Sequence, residues 1–209
     1  MNNIIYGDKI VEQEGYPYTH REFVLKGAPF STGEHVFHLL VEQGLEEDSY
    51  LLDFGCGSLR VGRFLMMYLN PSKYFGIEPN KWLLEAAFDN EIGHDLVKIK
   101  QPKFAYNNHF NARSFKEQKF DFVLLSGVLT HMDHTQLEKT LVSAEKILND
   151  NGKIVGSIIP IGPDHTYEGW LYPQQAAHYP DCIKHCLPNI NFQQLTVDDG
   201  GAMWFSLSK

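Results

Sequence analysis

Basic charge, cysteine and long apolar runs are what this chain has least of. Lys and Arg number 18 against 26 Asp and Glu, a formal net charge of −8. Non-specific nucleic-acid binding depends on clustered Lys and Arg, so an acidic chain is poorly suited to it. The same deficit excludes the polybasic signal that anionic membrane surfaces attract. No apolar run approaches the roughly 18 residues of a membrane-spanning helix. The start, Met1 to Asp8, is not a charged segment leading into a long apolar core, so no secretory signal is expected. Three cysteines, an odd number, argue against a disulfide framework and for a reducing compartment, the cytoplasm. Internal repeats and low-complexity tracts are also missing.

What is present is ordinary globular composition, 43% apolar and 21% charged over 209 residues. That length suits one domain of about 100–200 residues or one with a modest cap. It can bury roughly 70% of its unfolded surface without disulfide staples. The pattern alternates strands and helices, which reads as α/β with mostly parallel strands. Residues 1–49 read as a helical lead-in or lid, with Phe37, Leu39, Leu40, Val41 and Leu45 on an amphipathic helix closed near Gly44. Strands are expected at Tyr50–Phe54, Tyr74–Glu78, within 96–106, at Phe120–Leu125 and at Lys153–Ile159. Helices are expected at Arg63–Tyr68, Lys81–Phe88 and 134–148. Residues 160–190 read as irregular. Phe192–Val197 and Met203–Leu207 read as a hairpin around Asp198-Asp199-Gly200-Gly201. The division expected is a single domain over 1–209, with a core at 50–160 and an acceptor loop plus hairpin at 161–209.

The most informative stretch is Leu51-Leu52-Asp53-Phe54-Gly55-Cys56-Gly57-Ser58, an apolar strand running into Gly-x-Gly and then a helix. Glycines there permit a sharp turn and close approach of a ligand. Glu78 ends the next strand, about 20 residues on, where an acceptor for a pair of ribose hydroxyls belongs.

These residues carry a resemblance. Leu-Asp-Phe-Gly-Cys-Gly resembles the first signature of class I S-adenosylmethionine-dependent methyltransferases. Gly76-Ile77-Glu78-Pro79-Asn80 resembles their acidic second signature. Phe120–Val123 with Ser126–Met132 resembles the fourth-strand motif, and Leu148–Ile154 the turn before the fifth strand. The resemblance covers about residues 50–160. It implies a Rossmann-like fold: a seven-stranded, mostly parallel sheet, helices on both faces, and an antiparallel C-terminal hairpin. It implies S-adenosylmethionine as cofactor. Asp53, Gly55, Cys56 and Gly57 would line its methionine end, with Cys56 a small loop residue rather than a reactive thiol. Glu78 would accept the ribose hydroxyls, Pro79 and Asn80 flank the ribose or adenine edge, Asn108 touch the adenine, and Ser126 lie under the methionine moiety. Arg60 is one candidate for the cofactor carboxylate, with Tyr18 and Arg21 as rivals. One departure stands out. Many members have a third glycine where this chain has Leu59, and Gly62 follows three residues later. That version resembles a subgroup tied to cell-surface carbohydrate and secondary-metabolite chemistry.

Methyl transfer to a hydroxyl calls for a base, and His is the usual choice near neutral pH. His131, just past the fourth strand, is the leading candidate, with Asp133 and His134 close by to orient it or serve instead. His165, with Asp164, is a secondary base candidate in the loop after the fifth strand. The expected reaction is O-methylation of a sugar or other small polar metabolite. N-methylation, a nicotinamide-dependent oxidoreductase and a non-catalytic partner subunit stand as alternatives. Arg60 sits where the dinucleotide fingerprint wants a small residue, which weighs against the oxidoreductase. Cys182, His185 and Cys186 with His178 form a compact set but lack a Cys-x-x-Cys elsewhere, and no metal is expected. A small-molecule acceptor is expected, with no nucleic-acid or membrane partner. A homodimer stays open.

Overall fold

A computed structural model describes residues 3–6, 9–12, 29–109, 111, 113–115, 117–160, 168–171, 175–197 and 201–209. The chain packs as two compact units, Met1–Asn108 and His109–Lys209.

The first unit begins with strands β1 (Asn3–Tyr6) and β2 (Lys9–Glu12), antiparallel with Asn3 opposite Glu12 and Tyr6 opposite Lys9. Ile4, Ile5, Ile10 and Val11 are β-branched, which favours the pair. The lead-in is therefore not helical throughout; among the described residues its helix is α1 (Pro29–Glu42). Val36, Leu39 and Leu40 are its buried stripe. Gly44, at φ +96°, ends it. There Leu45 N–H reaches the Leu40 carbonyl and Gly44 N–H the Val41 carbonyl, a Schellman cap.

Next comes β3 (Leu51–Phe54), buried at every position, then α2 (Gly62–Tyr68) and β4 (Tyr74–Ile77), also buried throughout. The two strands run parallel, with Leu51 opposite Tyr74 and Asp53 opposite Gly76. Runs buried on both faces are uniformly apolar, and the one charged residue in β3, Asp53, marks a special position. Helix α3 (Lys81–Ala87) passes into a single π turn at Phe88–Ile92, and α4 (His94–Lys100) follows. The third parallel strand, β5 (Lys103–Ala105), is shorter than the 96–106 window suggested. Residues 94–100 are helical there, and Gln101 at φ +50° turns the chain out of the helix. Lys100 Nζ donates to the carbonyls of Met67 (2.9 Å) and Leu69 (2.8 Å), satisfying the end of α2.

In the second unit β6 (Phe120–Leu125) runs parallel to β7 (Leu148–Ile158), with α5 (His134–Ile147) between them. β7 starts earlier than its apolar run because Leu148 pairs with Phe120 before the turn. The register then skips, and Phe122 faces Lys153. Gly152 makes the skip possible, since a Cβ there would lie 2.9 Å from the Phe120 carbonyl oxygen. The segment expected to be irregular holds a short helix, α6 (Pro180–Cys186), opened by a proline in its first turn. Then β8 (Asn191–Val197) and β9 (Met203–Ser208) pair antiparallel, and β9 runs antiparallel to β7.

Strand order is β5-β4-β3 in the first unit and β6-β7-β9-β8 in the second. The seven strands, parallel in each unit except at β9, make the expected α/β class with its antiparallel C-terminal hairpin. Among the described residues no helix is long and apolar enough to cross a membrane.

Candidate functional site

The end of β3 builds the first cluster. Gly55 and Cys56 N–H both donate to the Ile77 carbonyl, at 2.9 and 3.1 Å, so the turn is tied to the end of β4. Gly55 (φ +78°) and Gly57 (φ +52°) adopt the left-handed backbone that glycine permits without strain. Among the described residues nothing lies within 4 Å of where a Gly57 Cβ would stand, so the turn faces open space.

Glu78 follows β4 and is buried. Its Oε2 accepts from Gly57 N–H at 3.1 Å. Its Oε1 accepts from Asn80 N–H at 2.8 Å and from Asn80 Nδ2 at 2.9 Å. Burial pushes the carboxyl above its usual range, and the bonds from Asn80 and Gly57 oppose that push. A carboxylate offers about four acceptor sites, so capacity remains for a further donor.

Asp53 is buried, and Tyr74 Oη donates to its Oδ2 at 2.8 Å. Burial raises its pKa to about 7, against the Tyr74 hydrogen bond and the nearby Arg60 charge. Burial holds Arg60 below its ordinary value, and the Asp53 charge opposes that. Cys56 is buried and its thiol is pushed well up by burial, so it stays protonated and unreactive.

The Leu59 departure has a structural answer. Leu59 keeps the positive φ, +60°, that a glycine would adopt there. Its side chain is fully buried. A Cβ on Gly62 would lie 2.7 Å from Leu59 Cδ2 and 2.5 Å from Tyr74 Oη. Gly62 therefore makes room for both side chains. A left-handed non-glycine residue costs about 1 kcal/mol, while a buried leucine contributes about 2 kcal/mol or more, so the exchange holds.

Two aromatic residues near this cluster carry no motif. Tyr74 opens β4 and reads from sequence as one more apolar core residue. Tyr106 follows β5 and is 47% exposed. Lys81 Nζ sits 5.8 Å from the Tyr106 ring centroid. Position just past a strand end was the only signal for it. Pro79 lies between Glu78 and Asn80, half-buried, and Asn108 lies beyond β5, also half-buried.

The second unit holds the other predicted residues. Ser126 is half-buried just after β6. The next residue, Gly127, has φ +66° and donates its N–H to Ser157 Oγ at 3.2 Å. His131 ends a 3₁₀ turn, Leu129–His131, half-buried, with its ring 5.7 Å from that of Trp170. Leu171 N–H donates to the His131 carbonyl at 2.8 Å. Asp133 is the N-cap of α5, its Oδ1 accepting from Gln136 N–H at 2.7 Å. Its Oδ2 accepts from Gly169 N–H, and Asp133 N–H donates back to the Gly169 carbonyl at 3.0 Å. Both oxygens thus hold backbone, which pins residues 169–171 beside His131. That is a structural task beside the expected one of orienting His131 or serving as a base.

His134 is exposed, and its ring lies 6.4 Å from that of buried His178. His178 Nε2 donates to the Met132 carbonyl at 2.9 Å, and burial holds its pKa down. Among the described residues no group of three His, Cys, Asp or Glu side chains converges as a metal site, Cys182, His185 and Cys186 included. Tyr18, Arg21 and His165 lie outside the described residues.

Comparisons place this geometry among known proteins. A family model described as a methyltransferase domain matches residues 52–154. A chemotaxis protein methyltransferase of Campylobacter jejuni is 23% identical over 186 residues, 86% of this chain and 67% of that protein. Magnesium protoporphyrin IX methyltransferase from Synechocystis, solved with S-adenosylhomocysteine, is similar at a TM-score of 0.64 and 16% identity over 86% of this chain and 82% of that one. A glycopeptide N-methyltransferase complexed with S-adenosylmethionine is similar at a TM-score of 0.63 and 14% identity, over 84% of this chain and 93% of that one. The structural likenesses show the fold.

Proposed function

The chain belongs to the class I S-adenosylmethionine-dependent methyltransferases, and from that premise we propose that its acceptor is a small polar metabolite, methylated at an oxygen of a sugar or related cell-surface or secondary-metabolite precursor. The chain's own residues fit the methyl donor. Open space over Gly57 leaves room for backbone contact, and two buried carboxyls, Asp53 and Glu78, lie at the ends of adjacent strands. Bound there, S-adenosylmethionine supplies an electrophilic methyl group on a cationic sulfur. Glu78 accepts ribose hydroxyls in this reading, while the Gly57 and Asn80 amides hold its two oxygens in place. Asp53 accepts from the cationic amino end, and Arg60 or the segment around Tyr18 and Arg21 pairs with the carboxylate.

His131 is the proposed base. It would take the proton from the acceptor hydroxyl, and a positioned base contributes typically 10²–10⁴-fold. Trp170 beside it offers a flat apolar face of the kind that packs against a sugar ring. A small acceptor also agrees with the net charge of −8, which opposes a phosphate backbone. The reading includes a cytoplasmic setting, supported by three free cysteines.

The observation that carries the donor half is Glu78, held at once by Gly57 N–H and by Asn80 beneath an open glycine turn. Calorimetric titration with S-adenosylhomocysteine tests it, and no heat at millimolar ligand would sink it. The acceptor half is tested with methyl-labelled donor and a panel of sugars, nucleotide sugars and small amines. A second reading, a protein acceptor, is favoured by the likeness to the chemotaxis protein methyltransferase over 86% of this chain. Label appearing in alkali-labile esters on protein, and in no small molecule, would decide for it.

A further inference from the structure

Tyr74 is buried at the start of β4, and no motif or comparison gives it a task. Its placement follows from register. Asp53 stands opposite Gly76, and Tyr74 lies two positions earlier on the same strand, so Asp53 and Tyr74 share a face as diagonal neighbours. Gly76 presents no side chain there, and Gly62 leaves the space that the hydroxyl fills, since a Cβ on Gly62 would stand 2.5 Å from it. The hydroxyl reaches Asp53 Oδ2 at 2.8 Å and is, among the described residues, the one hydrogen-bond donor to that carboxyl. We propose that Tyr74 is a positioning residue for the methyl donor: its hydroxyl occupies Oδ2 of Asp53 and so holds the carboxyl turned with Oδ1 available to the donor's ammonium. The inference rests on the methyl-donor reading of Asp53 and adds a residue to it.

The surrounding groups agree. Four groups act on Asp53 or share its pocket: Tyr74 from β4, Arg60 and Cys56 from the loop after β3, and Glu78 from the end of β4. Burial raises the carboxyl to about 7, and of the effects that oppose burial the Tyr74 bond is the largest, ahead of the Arg60 charge. Burial and the Asp53 charge drive the Tyr74 phenol well above its ordinary value, so it remains a donor across the working range. With Asp53 poised near neutrality, loss of one hydrogen bond moves its ionised fraction directly.

The test compares wild type with Tyr74→Phe and Asp53→Asn, none of which removes a ring or strand residue from the core. S-adenosylhomocysteine affinity is measured by calorimetry from about pH 6 to about pH 9, and the Asp53 carboxyl carbon is followed by NMR in the ligand-free chain. In Tyr74→Phe the carboxyl should titrate about one unit higher, and affinity should fall about fivefold at about pH 7 and close to tenfold at about pH 6, recovering as pH rises. In Asp53→Asn affinity should be weak with no such pH limb. An Asp53 titration unchanged by Tyr74→Phe, or an affinity loss equal at every pH, would show a hydroxyl that only packs and would overturn the proposal. If wild type fails to bind at any pH, the donor reading falls and this one with it; a shifted carboxyl titration would then mark the failure as one of ligand, since the Tyr74–Asp53 bond itself would be shown.

Discussion

The glycine turn after β3 and the segment after β6 occupy corresponding places in the two units, yet they spend their carboxylates differently. Around the turn, Glu78 and Asp53 are buried, with burial raising both pKa values. After β6, Asp133 gives both oxygens to backbone amides and serves as a helix cap and loop anchor. The same functional group thus sits buried beside a glycine turn in one setting and scaffolds a loop in the other. What separates them is burial: Asp53 and Glu78 are buried at the strand ends, whereas Asp133 is half-buried at the start of α5. In the second unit the proposed base, His131, stands beside the loop that Asp133 holds.

If the first region holds and the second reacts, substitutions should separate affinity from rate. His131→Ala has the largest expected effect: a fall in kcat of about 10²–10⁴-fold with S-adenosylhomocysteine affinity unchanged. A rate loss under tenfold, seen in single-turnover assays, would break the comparison. Glu78→Ala comes next. It removes acceptor bonds to the ligand and leaves Gly57 and Asn80 amides without their partner, so affinity should drop by roughly 100-fold, about 3 kcal/mol. Calorimetry reads it, and a change confined to kcat would contradict it. Gly62→Ala should cost about 1–3 kcal/mol of stability, because the new methyl meets Tyr74 Oη and Leu59 Cδ2. Chemical denaturation measures that loss. Asp133→Ala should be the mildest, about 1 kcal/mol from the lost cap. It should also loosen residues 169–171, visible as faster amide exchange at Gly169 and as a raised acceptor KM with donor affinity intact.

Much of the scaffold was legible because its signals are local. An apolar run interrupted only by Asp121 specifies β6 to the residue, and the strand, glycine and acid sequence places Asp53, Gly57 and Glu78 in one cluster. Errors arose where tertiary pairing overrides the local pattern. β5 is held to three residues because 94–100 fold as a helix, and β7 begins early because Gly152 tolerates a register skip. The strand pair at 3–12 was missed because its alternation is short and lies in a stretch read by its helix signal. At the site, Tyr74 was invisible: its hydroxyl matters only through a diagonal cross-strand contact, which composition and periodicity do not report. The capping role of Asp133 was equally hidden, since a carboxylate near a histidine and an N-cap before a helix look alike until backbone partners are known.

The Leu59 and Gly62 exchange has an inherited side. Glycine cannot return to position 59 while position 62 gains a side chain, because Tyr74 would still meet it. Residues 59, 62 and 74 are thus coupled, and Asp53 is coupled to them through the Tyr74 hydroxyl. Single steps between this arrangement and the three-glycine one pass through a hole or a clash, so lineages should differ at these positions as a block. A pattern that insists on glycine at 59 passes over chains built this way, whereas one that lets the glycine trade places with 62, and asks for a tyrosine at the head of the next strand, would find them.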